Sequence, residues 1–206
     1  MKILFIGLGS IGQRHIKNLK RIGINEIIAF RSRKGFHKTL PKEPDVTETN
    51  DWNSVIEKKP DIAIISNPTS LHIEYALKVA PFVKGIFIEK PLSNSLDGID
   101  DLINLLKKNN IVSFMGHNLM FHPMIIRVND FIDSSDIGNI LNIQCQVGQW
   151  LPDWHPNEDY TKSYVSNKNL GGGAALTLIH EIHLALKFGG QPIEVCGIKS
   201  KSSLLE

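Results

Sequence analysis

The chain has 206 residues, 42% of them hydrophobic, and 23 Lys and Arg stand against 21 Asp and Glu for a net charge of +2. That content suits a packed core and excludes a disordered chain, and so even a charge balance leaves no electrostatic footprint for nucleic acid or an acidic membrane. The two cysteines, Cys145 and Cys196, sit in apolar runs outside any Cys-x-x-Cys pattern, which points to a reducing, cytoplasmic setting and not to a disulfide framework.

The start, Met1-Lys2 followed by ILFIGLG, reads as a strand running into glycine, not as a signal peptide. No apolar run approaches the ~20 residues of a membrane span. KILFIG (2–7) is the first predicted strand, and 12–22 a helix with Ile16, Leu19 and Ile22 at helical spacing. EIIAF (26–30) is a second strand, followed by a polar, breaker-rich loop over 31–45. A short helix (52–59), a third strand DIAIISNP (61–68), a helix (71–81) and a fourth strand GIFIEKP (85–91) come next, then a helix (96–109) and a fifth strand IVSFMGH (111–117). Short apolar strands alternating with helices of this kind predict a doubly wound, Rossmann-type parallel sheet.

The pattern changes near residue 118. A helix over 123–132 precedes ILNIQCQVGQW (140–150), a longer predicted strand. A polar and aromatic loop with Trp154, Tyr160 and Tyr164 follows, then a helix after Gly171 and a last strand over 193–201. The expectation is a parallel α/β domain over 1–118 and the start of an α+β domain with a mixed or antiparallel sheet over 119–206. Two strands and a helix or two make a poor independent core.

The chemistry concentrates at the predicted strand ends. Gly7-Leu8-Gly9-Ser10-Ile11-Gly12 leaves a strand and opens a helix. In that context Gly7 permits the tight turn, Gly9 lets a pyrophosphate approach the backbone, and Gly12 lets helix and strand pack. The free N–H groups of the turn, including Ser10 and Ile11, and the positive end of the helix dipole then meet the phosphates. About 20 residues on, an acid would select NAD. Here Arg31-Ser32-Arg33 stands instead, which favours the 2′-phosphate of NADP over NAD. SNPTSLH (66–72) and Glu89-Lys90-Pro91 fall at the carboxyl ends of the third and fourth strands, where open α/β sheets bind ligands. A lysine at that place suits holding a substrate hydroxyl as hydride leaves.

GLGSIG at 7–12, SNPTSLH at 66–72, EKP at 89–91, GHNLMFHP at 116–123 and the GGG helix at 171 occur in the order and spacing of the Gfo/Idh/MocA oxidoreductases, and the chain resembles that family along essentially its whole length. The segment from Gly148 to Ala174 is similar to a branch associated with sialic-acid-type and other surface sugars. The resemblance implies an NAD(P)-binding Rossmann domain followed by a mixed α/β domain that often builds a homo-oligomer interface, and oxidation or reduction at a hydroxyl carbon of a sugar, nucleotide-sugar or cyclitol. It places Lys90 beside substrate and nicotinamide, makes His180 the acid/base, and lines the cofactor with Asn67, Pro68, His72, Glu89 and Asn118.

Several features depart from the family. Members usually run well past 300 residues, so a fragment or a truncated product is expected. Thr177 and His183 replace acids that would flank the catalytic histidine, and Met120 replaces an arginine of the branch. At about 100° per residue, Thr177, His180 and His183 fall on one face of a single helix, beside an apolar stripe of Leu176, Ile179, Ile182 and Leu186. A cleft-lining role and a merely decorated surface helix both stay open. His180-Glu181-Ile182-His183 is one residue short of the His-Glu-x-x-His pattern of a metalloprotease; a metal set with His155 or Asp153 is the remaining option, and no metal is assigned. Trp154, His155 and Tyr160 suit stacking on a sugar or ordinary packing. A non-catalytic nucleotide-binding sensor or subunit is the alternative reading. A methyltransferase shares the glycine-rich turn, but EKP after the fourth strand argues against it.

Overall fold

A computed structural model describes residues 1–31, 45–154 and 159–200. These form two units, one comprising 1–116 with 169–171 and the other 117–168 with the residues from 172 on.

The first unit is a six-stranded sheet. Its strands are β1 (Ile3–Ile6), β2 (Ile27–Phe30), β3 (Val46–Thr49), β4 (Ile62–Ile65), β5 (Gly85–Ile88) and β6 (Val112–Met115). They lie in the order β3-β2-β1-β4-β5-β6, and every pairing is parallel. Helices α1 (Ser10–Arg21), α2 (Trp52–Glu57), α3 (His72–Val79) and α4 (Ile99–Lys108) connect them.

Alternate strand residues feed two separate cores. Leu4, Ile6, Ile28, Phe30, Ala63, Ile65, Ile86 and Ile88 pack with Val55, Ile73, Ala76, Val79 and Leu102. Ile3, Phe5, Ile27, Ala29 and Ile64 pack on the other face with Ile16 of α1. Both faces are buried, so the central strands are continuously apolar instead of alternating. Local signals set the helix ends: Asp51 caps α2 by accepting from the N–H groups of Asn53 and Ser54. Asp100 and Asp101 open α4, and Lys107 and Lys108 close it, matching the helix dipole.

The sheet has one strand more than the sequence pattern predicts. β3 is VTET, a polar edge strand with no apolar run to mark it; its only signal is β-branched content.

The second unit holds α5 (Pro123–Asp133), α6 (Ala174–Thr177) and α7 (His180–Gly189), with single 3₁₀ turns between. Two expectations are corrected here. Residues 140–150 and 193–200 form no strand; Leu141, Trp150, Ile193, Val195 and Ile198 are all highly exposed. Strand propensity without a ladder partner does not make a sheet, and neither segment pairs with the other. The single helix expected after Gly171 is also two helices: Leu178 leaves helical geometry at φ −101°, ψ 40°, in the run Thr177-Leu178-Ile179 whose two β-branched residues weaken helix propensity. The apolar stripe expected on that helix is not a buried one, since Ile182 and Leu186 are exposed.

Candidate dinucleotide site and histidine cluster

The parallel register aligns the carboxyl ends of the central strands. Ile6 pairs with Phe30 on one side and Ile65 on the other, and Ile65 pairs with Ile88. Gly7, Arg31, Ser66 and Glu89, the next residues, therefore emerge along one edge. The strand order reverses between β1 and β4, the crevice where such sheets hold nucleotides.

The three glycines of the turn have different surroundings. Gly7 has φ +95°, and a Cβ there would lie 2.7 Å from the Asn67 backbone nitrogen. Gly12 would place a Cβ 3.0 Å from both the Gly7 carbonyl oxygen and Ser66 Oγ, so it lets α1 close on the strand edge. A Cβ on Gly9 would meet nothing within 4 Å among the described residues. Gly9 is also the N-cap of α1, with no side-chain cap and no acid in the first turn. An uncapped helix N-terminus beside open space fits a pyrophosphate. Ser66 Oγ donates to the Gly7 carbonyl at 3.0 Å, tying the turn to β4. Both polar side-chain atoms of Asn67 are buried without a hydrogen-bond partner among the described residues, an arrangement that a polar ligand would relieve.

His72 holds the next loops. Its Nε2 lies 2.9 Å from the Asn67 carbonyl oxygen and its Nδ1 2.9 Å from that of Pro91. The ring is 1% exposed, so it fastens the loops after β4 and β5 to each other. Burial pushes its pKa below the usual histidine value, against the opposing pull of the two carbonyls and Glu89. A neutral ring donates to only one of those oxygens.

Glu89 is equally committed. Its Oε1 lies 2.5 Å from His15 Nε2 on α1, and Oε2 accepts the Lys90 N–H at 3.3 Å. A Cβ on Gly116 would come within 3.0 Å of that carboxylate. Lys90 follows directly, at the carboxyl edge. Arg31 meets Glu48 of β3, with Nη1 3.3 Å from both carboxylate oxygens. The sequence reading misses His15 and Glu48, because nothing local ties them to the motifs they contact. Ser32, Arg33 and His155 lie outside the described residues.

In the second unit, His117 stacks on His183 with ring centroids 3.7 Å apart and planes 15° from parallel. It meets His180 edge-on at 6.1 Å. Burial, then the Lys187 charge, lowers the His183 pKa. Thr177 is buried. The two later glycines of GGG have distinct reasons: a Cβ on Gly172 would sit 2.5 Å from the carbonyl oxygens of Tyr164 and Val165, and Gly173 has φ +103°. Asn118 is exposed at the start of a 3₁₀ turn, Tyr160 is 36% exposed, and Trp154 Nε1 is buried without a partner among the described residues. Among those residues no three His, Cys, Asp or Glu are grouped to hold a metal, and no helix is long and apolar enough to cross a membrane.

A glycine cradle at the switch point of a parallel sheet defines a dinucleotide-binding protein. The chain belongs to the Gfo/Idh/MocA oxidoreductase family: residues 1–117 match its NAD-binding Rossmann fold and residues 125–203 a Gfo/Idh/MocA C-terminal domain. It is 27% identical over 207 residues to the uncharacterized oxidoreductase YrbE of Bacillus subtilis, covering 97% of this chain and 56% of that one. It is 27% identical over 198 residues to myo-inositol 2-dehydrogenase of Thermotoga maritima, covering 94% and 56%. Among solved structures, a probable dehydrogenase from Thermotoga maritima superposes with a TM-score of 0.58 at 29% identity, over 67% of this chain and 42% of that one. The chain thus spans little more than half the length of these two curated relatives.

Proposed function

We propose that this chain is an NAD(P)-dependent oxidoreductase that transfers hydride at a hydroxyl carbon of a sugar, nucleotide-sugar or cyclitol. The domain division of the proposal is 1–118 for the dinucleotide and 119–206 for substrate and self-association. The observation that carries the reading is the Gly7–Gly12 cradle, with the uncapped α1 N-terminus and, on the adjacent strand end, an Asn67 amide that has no hydrogen-bond partner among the described residues. The relation to a myo-inositol dehydrogenase supports a polyhydroxylated substrate.

Bound nicotinamide supplies the hydride acceptor or donor. The backbone of 9–12 binds the pyrophosphate. Asn67 and Pro68, with His72 fastening their loop, wall the cofactor, and Glu89 holds the start of the Lys90 segment. Proton handling falls to Lys90 in the first unit and to His180 in the second. Arg31, Ser32 and Arg33 suit a 2′-phosphate, and Glu48 against Arg31 opposes one. Asn118, Trp154, His155, Tyr160, Thr177 and His183 are the further candidates for ligand contact. Exposed Leu141, Trp150, Ile193, Val195 and Ile198 favour a homo-oligomer through the second unit. The free cysteines favour the cytoplasm.

The test has two stages. Fluorescence titration with NADH and NADPH is expected to show saturable binding of at least one; binding of neither sinks the proposal. A sugar and polyol screen for nucleotide reduction then tests catalysis. Lys90→Ala and His180→Ala should each lower kcat by about 10²–10⁴-fold, and unchanged turnover in both removes their assigned roles. A second reading, a nucleotide-binding subunit without turnover, is favoured by Thr177 and His183 standing where carboxylates would support a catalytic imidazole. It predicts binding with no reduction of any screened polyol.

A further inference from the structure

The basic stretch after β2 looks like a 2′-phosphate site in sequence, yet its first residue is held by an acid. Arg31 is the residue immediately after β2, and its N–H donates to the Thr49 carbonyl at 2.9 Å, which locks its backbone against β3. Its guanidinium then reaches Glu48, one residue earlier on the same strand, at 3.3 Å from both oxygens. The two side chains are only 15% and 13% exposed. Water therefore screens this pair less than an ordinary surface pair.

We propose that Glu48 sets the choice of nucleotide: by holding Arg31 it makes the end of β2 a site for an unphosphorylated ribose and disfavours NADPH. The inference rests on the dinucleotide reading given above. The end of the second strand is where the adenosine ribose lies in this topology. A 2′-phosphate there carries close to two negative charges and would share Arg31 with the Glu48 carboxylate. Like charges at that range repel, and the partly desolvated setting strengthens the effect. A ribose hydroxyl is neutral and donates a hydrogen bond, which a carboxylate accepts. Arg31 would then orient Glu48 instead of the ligand. The acid that sequence reading expects at the end of β2 is absent there and is provided instead by β3, across the pairing of Ala29 with Glu48.

Direct binding tests this without any turnover. Kd values for NADH and NADPH would be measured by nucleotide fluorescence for the wild-type chain, Glu48→Gln, Glu48→Ala and Arg31→Ala. The wild-type chain should bind NADH more tightly than NADPH. Glu48→Gln should tighten NADPH by roughly tenfold and change NADH by less than about threefold; Glu48→Ala should move the ratio in the same direction. Adding Arg31→Ala to Glu48→Gln should cancel the gain, since Arg31 is the group the phosphate binds. A ratio that stays within about twofold in both Glu48 variants overturns the inference, as does an equal change for both nucleotides. If the wild-type chain binds neither nucleotide, the dinucleotide reading itself has failed. If it binds them and the ratio does not move, only the role of Glu48 has failed.

Discussion

His15 and Glu89 meet at 2.5 Å, so the helix that opens on the glycine turn is joined to the strand end that leads into Lys90. His15 lies at Gln13-Arg14-His15 in the second turn of α1, and its ring also meets Phe87 edge-on at 5.2 Å. Helix α1 and the strand end before Lys90 thus share a polar contact at the carboxyl edge of the sheet. Replacing Glu89 with alanine should cost about 1–3 kcal/mol, because it leaves the half-buried imidazole and the Lys90 N–H without their acceptor. Urea unfolding checks the magnitude. His15→Ala should cost less, about 1 kcal/mol, since the carboxylate keeps the Lys90 N–H. Equal stability of both variants and the wild type would show that the contact contributes nothing.

The glycine turn separates folding from binding. Gly7→Ala forces a side chain into φ +95° and against the Asn67 backbone, so it should destabilise the first unit by about 2 kcal/mol or more. Gly9 has φ −70°, and no atom of the described residues lies within 4 Å of where its Cβ would be. Gly9→Ala should therefore leave stability within about 0.5 kcal/mol while weakening nucleotide binding by about tenfold or more, because the added methyl occupies the approach to the backbone. Thermal melts paired with nucleotide titration distinguish the two. A Gly9→Ala chain that binds as the wild type does would move the phosphate elsewhere.

His72 makes stability depend on pH. Its folded pKa lies below the ordinary 6.5 because the ring is buried. Between those two values the unfolded chain binds more protons than the folded one, so stability rises with pH. The contribution is present above about 6.5 and is lost as pH falls through the folded value. His183 is shifted in the same direction by burial and Lys187 and adds to the same slope. Urea midpoints measured from pH 7.5 down to 5 should fall, and His72→Asn, which does not titrate, should flatten the decline. An unchanged slope in that variant would assign it to other groups.

Gly172 offers a probe of the second unit. A Cβ there would sit 2.5 Å from two carbonyl oxygens of the 164–165 turn, and its N–H donates to the Asn167 carbonyl at 2.9 Å. Gly172→Ala should detach the GGG segment from that turn and raise the rate of limited proteolysis near 160–175. Gly190→Ala, with no atom of the described residues within 4 Å of its Cβ, should change protection only through its own backbone strain. Proteolysis of Gly172→Ala at the wild-type rate would argue that the turn yields at little cost.

The first half of the chain was readable because its signals are local. Apolar runs such as ILFI and IAII, a glycine turn between strand and helix, and polar caps each act within a few residues, and together they identify a parallel α/β sheet with Lys90 at a strand end. What those signals miss is set by contacts between residues far apart in sequence. β3 is too polar to announce itself, yet pairing with β2 brings Glu48 to Arg31 and makes that arginine half of an ion pair. His15 and Glu89, 74 positions apart, meet because the parallel register brings α1 and the end of β5 to one edge. In the second half, local strand propensity over 140–150 and 193–200 yields no strand, because a strand exists only where a neighbour completes its hydrogen bonds. The break at Leu178 divides one helical pattern into two helices without a glycine or proline to mark it. The sequence alone determined the cofactor fold and the placement of its motifs; tertiary structure decided which charges those motifs face, since charge pairing depends on distance in space and not along the chain.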